Sequence, residues 1–151
     1  METMIEELER VMQSEVETGE SLLRVMIEKQ RSIVGLHGGD LASLVVQEEE
    51  LIKPFQQLEE QRVRLAAEIA GHPSKNGEGT AVTVTELIRH LAPSDALRIS
   101  TISTRLRTVS ERIIHMNDQN RILLQRSVRF VQETLRLVTD DHTRQLVDHR
   151  V

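Results

Sequence analysis

Apolar residues along this chain recur at helical spacing almost throughout. From the N-terminus, Ile5, Leu8, Met12, Gly19, Leu22, Met26 and Ile33 follow one another at three- or four-residue steps or multiples of them, the signature of one helix face. Thr3 and Glu6 have capping-box spacing, and "GLHGG" (35–39) supplies the stop, so a first helix is predicted over 3–34. Gly19 lies within this seam, where the absence of a side chain lets a neighbouring helix come close.

A second helix is predicted over 40–70, with Asp40 as N-cap, an apolar stripe of Leu41, Leu44, Val45, Leu51, Ile52, Phe55, Leu58, Leu65 and Ile69, and Gly71 at its C-terminal end. Pro54 falls inside it and predicts a kink, because proline removes a backbone donor and crowds the carbonyl of Glu50. "GHPSKNGEGT" (71–80) reads as a mobile surface loop. A short helix over 83–92 follows, opened by a Thr83/Glu86 capping box, buried through Leu87, Ile88 and Leu91, and closed by Pro93. Ser94 then caps a last helix over 94–139, and the polar remainder, 140–151, reads as a frayed tail.

The last helix carries the most information. Ile99, Leu106, Ile113, Asn120, Ser127 and Thr134 form one heptad line; Ile102, Val109, Met116, Leu123, Phe130 and Leu137 form the other. The first line turns polar at Asn120. A further apolar strip begins there: Leu124, Val128, Val131, Leu135 and Val138. At 1.5 Å per residue this helix spans roughly 65–70 Å and the first two roughly 45–50 Å each, so a hairpin of the first two cannot cover it. Two readings of the widened face stand side by side. Several neighbours in an ordinary bundle can bury it, with Asn120 fixing register; alternatively, one strip packs internally and the other takes a partner's amphipathic helix.

Composition narrows the class. Among 151 residues there are two Phe, no Tyr, no Trp and no Cys, which disfavours sheet and excludes disulfides, thiolate metal sites and a cysteine nucleophile. The chain is expected to form a single helical domain, 1–151: an all-α antiparallel helical bundle or helical hairpin with a long coiled-coil-like C-terminal helix. The acidic start, "METMIEELER", has no continuous apolar run, so neither a signal peptide nor membrane insertion is expected. Residues 1–60 carry a net charge of −9 and residues 61–151 a net of +4. No aromatic platform accompanies the basic half, so acidic helices pairing with basic ones is preferred to nucleic-acid binding.

Catalytic signals are poor. Glu86–His90 and Glu111–His115 have four-residue spacing, whereas di-iron bundles use Glu-x-x-His with further inward carboxylates. Asp141–His142 and Asp148–His149 lie in the predicted tail. The glycines of "GLHGG" and "KNGEG" lack a phosphate-loop context, and the hydroxyls of "RISTISTRLRTVS" (98–110) suit the polar face of a helix. No cofactor, no metal and no enzyme activity are expected, a metal-dependent bundle using the Glu–His pairs being the enzyme-class rival.

Two blocks carry a family resemblance. "ESLLRVMIEKQRSIVGLHGGDLASLVVQEEELIKPFQQLEEQR" (20–62) has the Leu-Leu pair and later Glu, the Asp-Leu opening the next helix, and the Leu-Glu-x-x-Arg near its end. "NDQNRILLQRSVRFVQETLRLV" (117–138) has Asn-x-x-Asn-x-x-Leu-Leu before an aromatic-bearing amphipathic segment. In these the chain resembles the FlgN family of flagellar type III export chaperones. It departs from the family pattern at Glu48-Glu49-Glu50, where a Lys is common, and at Phe130, where some members use a Tyr to contact the export gate.

The resemblance implies a cytoplasmic, non-catalytic chaperone holding hook-associated proteins of the filament junction by their C-terminal helices, with export gate or export ATPase components as further partners. Partner binding is then expected at Asn117, Asn120, Leu123, Leu124, Ser127, Val128, Phe130, Val131, Leu135 and Val138. The alternative is a self-associating coiled-coil protein, a homodimer through the spare strip with no export client.

Overall fold

A computed structural model describes residues 2–35, 40–71 and 84–148, with side chains from Thr3 to Asp141. Four helices follow in order: α1 (Glu2–Ile33), α2 (Leu41–Ile69), α3 (Val84–Ile88) and α4 (Pro93–Asp148). No strand occurs among the described residues. The expected all-α class is the observed one.

α1 packs along both α2 and α4, and the short α3 sits against α4 and α2. Ion pairs set the directions. Arg62 Nε donates to Glu15 Oε2 at 2.9 Å and Lys29 Nζ lies 2.9 Å from Glu48 Oε2, so α2 runs antiparallel to α1. Arg98 pairs with Glu9 and Gln30 Nε2 donates to Gln119 Oε1 at 3.2 Å, so α4 runs parallel to α1 in one constant register. The charge asymmetry of the sequence is accounted for in part by these contacts: carboxylates of α1 face Arg62, Arg98 and Arg105.

The core fills the end of the bundle where all four helices meet. Ile5, Leu8, Met12 and Val16 of α1 pack with Ala66 of α2, Val84 and Leu87 of α3, and Ile99, Ile102, Leu106 and Val109 of α4. Farther along, Gly19 is the point of closest approach. A Cβ there would lie 2.8 Å from Val109 Cγ1, 3.0 Å from Phe55 Cε2 and 3.5 Å from Ile113 Cδ1, so side chains of α2 and α4 converge on the space it leaves.

Several boundaries differ from expectation. α1 already includes Glu2, so Thr3 sits within the first turn and does not cap it; carboxylates there suit the positive end of the helix dipole. Asp40 does stand at the N-cap of α2, but its side chain makes no capping bond; its carbonyl accepts from Leu44 N at 3.0 Å. α2 continues through Pro54. Gly71, at φ +77°, takes the left-handed conformation that ends α2, and Gly35, at φ +75°, does the same after α1.

α3 stops at Ile88, short of residue 92, and Pro93 opens α4 where a terminator was expected. Proline suits a first helical position because its missing N–H would have no intrahelical partner anyway. At the other end α4 continues to Asp148, so 140–148 is helix and not a frayed tail. Nothing between Ser94 and Asp148 is Gly or Pro, and each added residue extends the hydrogen-bonded ladder at little cost. Thr83, the rest of "GLHGG" from Leu36 and the 71–80 loop beyond Gly71 lie outside the described residues.

Candidate functional site

The two heptad lines of α4 are covered as far as Leu123 and then abruptly lose their partner. Ile99, Ile102, Leu106, Val109 and Asn120 are buried, and Ile113, Met116, Leu123 and Leu124 are half-buried. From Gln125 to Asp141 every residue of α4 is exposed.

Length is the cause. α1 has 32 residues and α4 has 56, about 48 and 84 Å at 1.5 Å per residue, and the two start level. The register of Glu9–Arg98 and Gln30–Gln119 places the end of α1, Ile33, level with Ile122. On the register of Glu15–Arg62 and Lys29–Glu48, α2 begins only about one turn beyond that level. Neither helix reaches the remainder of α4.

That remainder is not a polar spike. Val128, Phe130, Val131, Leu135, Leu137 and Val138 are each 54–69% exposed. Leu124, Val128, Val131, Leu135 and Val138 form a strip that prolongs the α1-facing side. Phe130 and Leu137 form a second column across the small side chains of Ser127 and Thr134. The expectation that one of the two strips packs internally is therefore corrected: beyond Leu123 both are uncovered. A contiguous apolar face of this kind makes the end of α4 the candidate site of the molecule.

The predicted site residues divide at Asn120. Its side chain is 2% exposed, and its Nδ2 donates to the Met26 carbonyl of α1 at 2.9 Å. It is an interior residue that ties α4 to α1, and not part of the exposed face. Asn117 is exposed and Leu123 half-buried at the boundary; Ser127, Val128, Phe130, Val131, Leu135 and Val138 share the uncovered segment. Leu137, assigned to the internal seam by its heptad position, belongs to that face as well.

Asn120 is a polar residue in an apolar seam, a device that fixes register at some cost in stability. Replacing it with Leu should raise the free energy of unfolding, read by urea titration, by up to about 2 kcal/mol while loosening register. The chain has no cysteine, so a Gln30→Cys/Gln119→Cys pair reports register directly. Disulfide yield should be high in the parent and lower with Asn120→Leu; unchanged yield with lowered stability would contradict a register role.

The candidate metal pairs are not brought together. His90 lies beyond the end of α3, so Glu86 and His90 do not share a helix face. Glu111 and His115 are exposed on α4, and Asp141 is exposed, while the side chains of His142, Asp148 and His149 lie outside the described residues. Among the described residues no three His, Asp or Glu side chains converge as metal ligands would. The hydroxyls of 98–110 bond to their own helix: Thr101, Thr104 and Thr108 donate to the carbonyls of Leu97, Ser100 and Thr104. No described helix is long and apolar enough to cross a membrane.

A long helix with an uncovered apolar end, carried on a short hairpin, is an arrangement many helical proteins could share. The family comparison decides between them: the FlgN protein family matches residues 1–147. The chain belongs to the FlgN family. Members are flagellar export chaperones, proteins of flagellum assembly. Comparisons with curated proteins and with solved structures return no match. The family match spans α1 and α2 as well as α4, so the hairpin that leaves the end of α4 bare lies within the matched region.

Proposed function

We propose that this FlgN-family chain holds the C-terminal amphipathic segment of hook–filament junction proteins in the cytoplasm, before type III export, on the uncovered face of α4. The observation that carries the proposal is the exposed apolar run from Val128 to Val138, lying beyond the reach of α1 and α2. Segments destined to oligomerise in a filament expose apolar stripes when free, and a chaperone helix with a spare strip shields them. The ordering cost of a segment that folds on binding keeps the complex releasable.

The test is capture of junction-protein C-terminal segments by wild type and by Val128→Glu. Val128 is 55% exposed, so a carboxylate there stays solvated in the free protein and should leave helicity and melting unchanged. In a complex it would be buried without a counter-charge, weakening capture by roughly 2–4 kcal/mol, about thirty- to a thousand-fold. Unaltered capture, or an unfolded variant, would refute the assignment.

A further inference from the structure

The uncovered end of α4 has a wider apolar face than the part of the helix that α1 covers. Successive α-helical residues turn by about 100°, so residues eighteen apart lie directly above one another. Leu124, Val131 and Val138 stand in this way above Leu106, Ile113 and Asn120, the side that packs against α1. Phe130 and Leu137 stand above Arg112 and Gln119, which are polar and exposed. Beyond Leu123 an apolar column therefore begins on a side of α4 that is solvated lower down.

The other helices show how width follows the number of neighbours. Between Leu106 and Leu124, where α4 has α1 as its long neighbour, its covered apolar side chains span about 100° of the circumference. α1 packs along both α2 and α4, and its covered apolar side chains span about 200°, from Val25 round to Ile27. On the uncovered end the exposed apolar side chains run from Leu137 through Val131 to Val128, about 180°. That is the width of a helix with two neighbours. Ser127 and Thr134 divide this face lengthwise into two columns, and the remaining side carries Arg129, Glu133, Arg136 and Asp140, charges of both signs that suit water.

We propose that this face takes two helices at once, a helical pair from one client, with α4 as the third member of a three-helix bundle about four turns long. The inference rests on the client-holding reading and adds the shape of the client. The face runs without a break from the α1–α4 interface. One helix of the pair follows α1 along Leu124, Val131 and Val138, and the second lies along Phe130 and Leu137. Either helix alone would leave one column in water, where its apolar area contributes nothing to binding. A pair also buries the seam between its own two members, which a single helix on α4 would leave partly open.

The test uses the full chain and the C-terminal segment of a filament-junction protein cut at two lengths, roughly 18 residues for one helix and roughly 40 for two. The chain has no cysteine, so Leu135→Cys, Leu137→Cys and Arg129→Cys place a single thiol on each column and on the charged side in turn, all at exposed positions. The longer segment should slow alkylation at both columns, leave Arg129→Cys unaffected, and bind at least about tenfold more tightly than the shorter one. The shorter segment should need two copies per chain to shield both columns. Shielding of both columns by one short segment, or of one column alone by the longer segment, would overturn the pair and leave the docking face intact. Failure of both segments to shield either column would overturn the face, and with it the client-holding function. Shielding of both columns without any segment, increasing with protein concentration, would overturn both in favour of a second copy.

Discussion

Gly19→Leu should abolish the folded bundle, and even Gly19→Ala should lower its stability. Alanine is favoured over glycine within a helix by about 1 kcal/mol, so α1 taken alone would gain from the change. The bundle does not permit that gain. The new Cβ would stand 2.8 Å from Val109 Cγ1 and 3.0 Å from Phe55 Cε2, contacts that packed carbon atoms do not make. Val109 is buried and β-branched, so it has little rotamer freedom with which to withdraw, and Ile113 Cδ1 stands behind at 3.5 Å. Overpacking of this kind costs roughly 1–3 kcal/mol, which outweighs the helical gain and leaves Gly19→Ala destabilised by about 1–2 kcal/mol. Leucine adds three further carbons to a site with no room for one. The helices would have to separate along the contacts that align α4, and a domain of this size has only about 5–15 kcal/mol in total. Urea unfolding followed by circular dichroism measures both variants. A Gly19→Ala protein more stable than the parent would show that the α1–α4 spacing relaxes freely, and the close-approach role would be lost.

Gly19 also shows what the sequence made legible. A glycine in an otherwise apolar heptad line announces a close contact, and the contact exists. The helical class and the length mismatch were equally readable, because 3.6-residue periodicity and rise per residue are properties of the backbone alone. Chain ends of helices were harder. Pro93 reads as a stop or as a first residue depending on which side the helix lies, and the backbone places it first in α4.

The uncovered face was legible as a doubling of apolar positions, but not its extent. Whether Phe130 and Leu137 are covered depends on where α1 ends relative to α4, a tertiary register that periodicity does not encode. Asn120 shows the same limit: spacing put it in the seam, and only the Met26 carbonyl opposite makes it an interior tie. Glu15 and Lys29 were passed over altogether. Both fall on the strict seam positions of α1 between Met12, Gly19, Leu22, Met26 and Ile33, and that gap-filling was the available signal. The same is true of Glu48, which is buried on the stripe of α2, while apolar Val45 points outward.

Arg62→Ala should be among the most damaging substitutions outside the apolar core, and its effect should depend on pH. Glu15 has a side chain 2% exposed, and burial raises its carboxyl above the ordinary value of 4.5 despite the attraction and hydrogen bond of Arg62; Glu59 nearby pushes in the same upward direction. Because the folded pKa is raised, the folded state binds more protons than the unfolded state in the window just above 4.5. Stability contributed through this group therefore falls as pH rises through that window, the reverse of a typical paired carboxylate. Removing Arg62 would leave the Glu15 charge buried with nothing to offset its lost hydration, at a cost of roughly 2–3 kcal/mol near neutral pH. That is below the full penalty for a sealed pair, because the Arg62 side chain is 21% exposed and part of the attraction is already screened. Protonating Glu15 should recover much of the loss, so the gap between Arg62→Ala and wild type should narrow at acid pH. Glu15→Gln should lose much less than Arg62→Ala at pH 7, since a buried amide carries a smaller desolvation penalty than a buried charge and can keep a hydrogen bond to Arg62. The double variant should then lose less than Arg62→Ala alone, the sign of a coupled pair. Urea midpoints of the four proteins at two pH values on either side of the window complete the cycle. Equal losses for Arg62→Ala at both would mean that Arg62 supports the fold by packing its stem between α1 and α2, and that the buried charge is not what it serves.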